Sequence, residues 1–230
     1  MRSSLGSTDP GSSPRDPDFA VKAGRVLDLY ARSFDGVPLG DDEYVLSADE
    51  KPGVQARERI QPSRPARPGR QPMRVESEYR RHGTLAYLAA YDVHHARVIG
   101  NCAPTTGIEP FTALAEKVMT QEPYASAKRV FWVVDNGSSH RGWTAAARLR
   151  DAFPNATMIH TPVHASWLNQ IEIYFSVVQR KLLTPDNLAS LKVLAEQLTA
   201  FEARYNHAAR PFNWRFNSDD LDRLLHRIAA

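Results

Sequence analysis

The chain of 230 residues carries 29 Lys and Arg against 26 Asp and Glu, a net charge of +3, and is 42% hydrophobic and 24% charged. That balance is enough for one large packed domain and argues against global disorder, and no apolar run approaches the ~20 residues that a membrane span needs. Cys102 is the only cysteine, which excludes an intramolecular disulfide and Cys-based zinc sites; residues 1–7 hold no apolar stretch of a secretory signal, so the expectation is a reduced, cytoplasmic protein.

Residues 1–18 are mostly Ser, Gly, Pro and Thr and read as a disordered tail. Phe19, Ala23, Val26, Leu27 and Tyr30 recur at helical spacing, which predicts an amphipathic helix over 18–32 within a linker segment 19–42. Gly36-Val37-Pro38-Leu39-Gly40 is a turn-rich link. Tyr44-Val45-Leu46-Ser47-Ala48-Asp49 predicts a strand that ends on an acid. Residues 51–78 follow as an Arg/Pro-rich insertion, where Pro62, Pro65, Pro68 and Pro72 exclude regular structure. Strands are predicted at 80–92 and 96–103, joined by a turn at Asp92-Val93-His94-His95.

A helix is predicted from Glu109 to Met119, with Phe111, Leu114, Ala115 and Val118 on one face. Val130-Phe131-Trp132-Val133-Val134 is a continuous apolar run, the pattern of a strand buried on both faces at the centre of a sheet. Residues 143–152 read as a helix and Thr157-Met158-Ile159-His160 as a short strand. Two long helices follow, the first carrying Leu168, Ile171, Phe175, Val178 and Leu182, the second Leu191, Ala195, Leu198, Phe201 and Tyr205. A last helix starts near Ser218, with acids in its first turn and bases in its last. The order predicts an α/β fold, a mixed five-stranded sheet flanked by helices, over a main domain at 43–210 with a helical extension at 211–230.

Three acids stand out by position. Asp49 closes the first predicted strand, Asp135 closes the buried one, and Glu172 lies on the first long helix opposite its apolar stripe, on the polar side with Asn169, Ser176 and Gln179. If the two strands are neighbours, Asp49 and Asp135 sit side by side at the carboxyl edge where open sheets place ligands, and a packed helix delivers Glu172 to the same point. Three such carboxylates repel one another and favour a hard divalent cation. Taken singly, each also has a plain reading: a strand-end Asp is a common turn former, Asp135-Asn136-Gly137 has the form of a simple turn, and a helical Glu is usually solvated. Arginine greatly outnumbers lysine, which suits bidentate phosphate contact and equally fits the codon usage of a GC-rich genome.

Three segments resemble the conserved blocks of bacterial insertion-sequence transposases related to mariner, which carry the DDE superfamily endonuclease domain. They are Ser47-Ala48-Asp49-Glu50-Lys51, Val133-Val134-Asp135-Asn136-Gly137-Ser138-Ser139-His140, and His164-Ala165-Ser166-Trp167-Leu168-Asn169-Gln170-Ile171-Glu172. The third is the most specific, and the resemblance spans roughly residues 18–228. It implies a ribonuclease H-like fold and a triad of Asp49, Asp135 and Glu172 holding two Mg²⁺ ions, with Mn²⁺ able to substitute. It implies hydrolysis of DNA at transposon ends followed by attack of the freed 3′-hydroxyl on target DNA, with no covalent protein–DNA intermediate. Asn136, His140 and Asn169 are implied as supporting residues, His140 reading equally as an ordinary capping residue. Trp167 and Leu168 are expected to anchor the catalytic helix in the core. Arg57, Arg59, Arg64, Arg67, Arg70 and Arg74 are expected to meet DNA phosphates.

Members of that group usually carry about a hundred or more residues of helix-turn-helix sequence ahead of the catalytic domain, where this chain has some forty before Asp49. The expectation is therefore a catalytic-domain fragment or half of a split transposase, acting as a homodimer on DNA or alongside a full-length transposase. Two alternatives remain open at this point: a remnant that regulates by binding DNA or transposase without turnover, and another ribonuclease H-like nuclease.

Overall fold

A computed structural model describes residues 16–60, 78–184 and 187–229. Most of the predicted tail and Arg64, Arg67, Arg70 and Arg74 lie outside the described residues. Helix α1 (Phe19–Tyr30) is followed by a small hairpin of β1 (Ser33–Phe34) and β2 (Val37–Pro38), in which Asp35 and Gly36 turn the chain at positive φ. Then come β3 (Glu43–Arg59), β4 (Tyr79–Asp92), β5 (Val98–Ala103), α2 (Ile108–Met119), β6 (Arg129–Val134), α3 (Gly142–Ala152), β7 (Ala156–His160), α4 (Ile171–Lys181), α5 (Leu191–Ala208) and α6 (Ser218–Ala229).

The predicted mixed sheet of five strands is present, in the order β5-β4-β3-β6-β7, with β3, β6 and β7 mutually parallel and β4 antiparallel to both its neighbours. Its middle strand is β3, not β6 as the apolar run implied. Strand β6 is nevertheless buried on both faces, which is what the continuous run records. Alternation along the strands sorts the side chains. Val45, Phe131 and Val133 join α1, α4, α5 and α6 in one core, while Leu46, Ala48, Trp132 and Val134 join α2 and α3 in the other. The segments predicted as a linker and a C-terminal extension contribute to the first core, through Ala23, Val26, Leu27 and Leu29 of α1 and Leu221 of α6.

Two expectations are corrected. The strand that begins near Tyr44 does not end at Asp49. It continues for ten more residues to Arg59, pairing with β4 as far as Arg59 opposite Tyr79. Lys51-Pro52-Gly53 has the composition of a turn, but here it forms an irregularity in the ladder, with Gly53 at φ 62° in the left-handed region, and the strand resumes beyond it. Residues 51–59 are thus sheet rather than insertion, and Arg57 and Arg59 lie on it with their guanidinium groups 5.0 and 5.1 Å from the Tyr79 ring centre. The first long helix is also shorter than its apolar spacing suggested. Ser166–Leu168 form a separate 3₁₀ turn, Asn169 is extended, and α4 starts only at Ile171.

Candidate active site

The register of the parallel pair β3 and β6 sets Ser47 opposite Val133. Two residues further on, where β6 ends, the chain places Asp135 beside Asp49 on the face of the sheet covered by α4. Ligand atoms of Asp49, Asp135 and His140 lie within 4.8 Å of one another. Glu172 stands outside that tight group, in the first turn of α4, close enough that the charge of Asp135 raises its carboxyl and that its own charge helps to raise Asp49. Lys51, two residues past Asp49, faces Glu172 and offsets part of this repulsion.

Each carboxylate is held differently. Asp49 is 8% exposed, and burial, reinforced by the charges of Asp135 and Glu172, pushes its carboxyl up to about 7 although it accepts a 2.7 Å hydrogen bond from the Glu50 amide. Asp135 goes the other way. Its Oδ1 makes a short hydrogen bond with His140 Nε2 and accepts from the Gly137 amide, and these keep it below the usual range despite burial. Glu172 is raised, chiefly by burial. A buried acid of raised pKa beside an ionised one is an arrangement that charge repulsion opposes and a bound cation relieves. The oxygen-rich donors fit a hard divalent ion such as Mg²⁺ or Mn²⁺.

Of the supporting residues named from sequence, His140 and Asn169 bond the carboxylates directly and Asn136 does not. His140 is 1% exposed. Its ring lies 5.2 Å from that of Phe111 on α2, and its Nδ1 meets Ser139 Oγ at 3.1 Å. Asn136 donates to the Thr161 carbonyl at 2.8 Å, tying the turn after β6 to the end of β7. Asn169 does not share the polar face of α4 with Glu172. It is buried ahead of the helix, where Nδ2 donates to the Ala48 carbonyl at 3.0 Å and to Asp49 Oδ2 at 3.3 Å. Trp167 is half-buried with its edge against Phe216 and Leu168 is fully buried, as expected of anchors.

Sequence reasoning missed Ser47. Its hydroxyl donates to Asn169 Oδ1 in a short bond and accepts from the Ile171 amide at 2.9 Å. It therefore satisfies an otherwise unpaired N–H at the start of α4 from the neighbouring strand. The signal was its place two residues before Asp49, which puts both side chains on one face of the strand. Ser139, which bonds Glu50, and His160, whose Nε2 lies 2.6 Å from the His140 carbonyl oxygen, were likewise not assigned to the site. Replacing Asn169 by Ala removes the side chain that ties the approach to α4 to β3; the Ser47 hydroxyl keeps the Ile171 amide but loses the acceptor for its own proton, and the Ala48 carbonyl and Asp49 lose a buried donor. Stability is expected to fall by about 1–3 kcal/mol, read by urea unfolding. A loss under about 0.5 kcal/mol with unchanged cleavage would show that the link does not set the helix's position.

The model of the DDE superfamily endonuclease family matches residues 44–195, a span that holds all three acids. The chain belongs to this family. No curated protein sequence matches it. Among solved structures the chain is similar to the pre-cleavage Mos1 transpososome, with 13% identity, TM-score 0.59, and coverage of 100% of this chain and 68% of that one. It is similar to the Mos1 mariner paired-end complex with Mn, at 14% identity and TM-score 0.58, covering 99% and 64%. It is similar to the isolated catalytic domain of Mos1 mariner transposase, at 12% identity and TM-score 0.52, covering 95% and 94%. At these identities the likeness is one of fold, the ribonuclease H-like fold of a transposase catalytic domain. The chain spans about two thirds of the chains in the larger assemblies and most of the isolated catalytic domain. No helix among the described residues is long and apolar enough to cross a membrane.

Proposed function

We infer that the chain is the catalytic domain of a DNA transposase, which hydrolyses phosphodiester bonds at transposon ends and joins the freed 3′-hydroxyl to target DNA. The observation that carries this reading is the convergence of Asp49, Asp135 and Glu172 from β3, the end of β6 and the first turn of α4, with one carboxyl pushed up to about 7 by burial and by the other two. The solved Mos1 complexes described with Mn and with Mg support divalent-cation dependence, and two ions held by the triad is the arrangement proposed. Divalent ions bound to these oxygens would lower the pKa of an attacking water and offset charge on the scissile phosphate.

The protein's own part is positioning. His140 and the Gly137 amide fix the Asp135 carboxylate, leaving Oδ2 directed away from these bonds. The Glu50 amide and Asn169 fix Asp49 through both its oxygens. The Ser47 and Asn169 pair sets where α4 begins and thus where Glu172 stands. Lys51 balances Glu172. Arg57 and Arg59, on the extension of β3, are proposed to contact DNA phosphates alongside the other arginines of 57–74. Two copies acting on paired ends is proposed from the likeness to paired-end complexes.

The test is to incubate the purified chain and Mg²⁺ or Mn²⁺ with duplex DNA carrying the element's ends. Nicks with 3′-hydroxyl ends and joined products are expected. Preference for an RNA–DNA hybrid would move the assignment to another ribonuclease H-like nuclease, and DNA binding without cleavage at any cation concentration would move it to a regulator.

A further inference from the structure

Helix α3 buries Ala145 and Leu149 against the sheet. Its opposite face carries Trp143, which at 73% is the most exposed large apolar side chain among the described residues. An indole left in water needs a reason that an isolated surface Val does not, because it offers the largest apolar and π surface of any side chain. Three features give the position a ligand chemistry. Trp143 follows His140 by three residues, so their Cα atoms lie within about 11 Å of each other, and His140 is bonded directly to Asp135. The guanidinium of Arg150, two helical turns on, sits 5.2 Å from the indole centre and holds the ring from one side. Arg141, two residues before the indole at the helix start, is exposed and adds a second cation to this end of the helix.

We propose that Trp143, backed by Arg150, is a stacking platform for an unpaired nucleobase of the DNA strand whose phosphate lies at the carboxylates. The occupant is a base and not a protein side chain because the charge around the indole complements a phosphodiester backbone. A flat π-face with a guanidinium against it is a surface on which single-stranded bases stack without regard to sequence. The platform selects strands already unpaired near the cut, since a base within a duplex has no free face to offer. This inference rests on the DNA-processing reading above and assigns the strand-recognition element of that same site.

Two single-stranded 12-mers separate base stacking from backbone charge: oligothymidylate, and an abasic oligomer with the same number of phosphates. Binding is measured by fluorescence anisotropy without divalent cation, for wild type, Trp143→Ala and Trp143→Phe. The wild type is expected to prefer the base-bearing oligomer. Trp143→Ala should bind it about 5- to 100-fold more weakly while binding the abasic oligomer as before, and Trp143→Phe should keep most of the preference. Equal losses on both oligomers, or no loss on either, overturn the platform while leaving the nuclease reading standing. Failure of the wild type to bind either oligomer overturns the platform, and the duplex-cleavage assay above decides the nuclease reading separately. If Trp143→Ala instead dissolves a dimer seen by sedimentation and leaves the oligomer preference intact, the indole is a contact between copies and the proposal is wrong.

Discussion

Replacing Asp135 by Asn is expected to abolish DNA cleavage, by about a thousand-fold or more, with the fold intact. The change keeps size and shape but removes the one carboxylate of the site that is held firmly ionised, by His140 and the Gly137 amide. The lost interaction is with a metal and with the charge that builds on the phosphate during displacement, an effect worth several kcal/mol, and each 1.36 kcal/mol is about tenfold in rate. The amide Nδ2 of Asn would also point a donor at His140 Nε2 if the side chain settled the wrong way round. The measurement is single-turnover nicking of end DNA in Mg²⁺ and in Mn²⁺, with circular dichroism as the check on folding. Residual cleavage within tenfold of wild type would remove Asp135 from the catalytic set and with it the reading of the site as a carboxylate metal centre.

Asp49→Asn should do two opposite things: end activity and stabilise the cation-free protein. Burial first, and then Asp135 and Glu172, push the Asp49 carboxyl up to about 7, against ~3.9 in an unfolded chain. Between those values the folded protein holds a proton that the unfolded chain has released, so this group's contribution to stability falls as pH rises from about 4 to about 7 and stays low above that. The variant lacks this penalty. At pH 8 without cation it should be more stable than wild type by on the order of a few kcal/mol, and at pH 4 or below the two should converge. Adding Mn²⁺ to a hundred times its dissociation constant should raise wild-type stability by about 2.7 kcal/mol at pH 8 and leave the variant nearly unmoved. Thermal unfolding across pH, with and without Mn²⁺, reads all of this. A difference between variant and wild type that does not change with pH would mean that Asp49 is not under electrostatic strain.

Asp135 and Glu172 stood out in the sequence because each closes something with a pattern of its own, whereas the strand expected to end on Asp49 runs on past it. Asp135 follows an apolar run, and Glu172 ends a long motif that Trp167-Leu168-Asn169-Gln170-Ile171 makes specific. The strands, the helices and their order were legible for the same reason: burial on one face or two leaves a period in the chain. What the sequence left unsaid concerns contacts between segments far apart in it. Nothing local in Lys51-Pro52-Gly53 announces that the strand continues through an irregularity to Arg59, since that depends on β4 being there to pair with it. Helical spacing carried the first long helix back to Leu168, but the chain is extended at Asn169 because that side chain is drawn into β3.

The electrostatic character of the site also belongs to tertiary structure. Two aspartates of the same type end with pKa values shifted in opposite directions, Asp135 down and Asp49 up, because one is met by an imidazole and the other by buried surroundings and like charges. Periodicity showed which residues of most strands and helices face the core, since that is a property of single segments, and it failed at Asn169, where a bond to another strand sets the backbone. Only the packing of β3, β6 and α4 decided how near the three acids come, which way each carboxyl is shifted, and that Ser47 ties β3 to the start of α4, because each of these depends on distances between segments that the linear order does not contain.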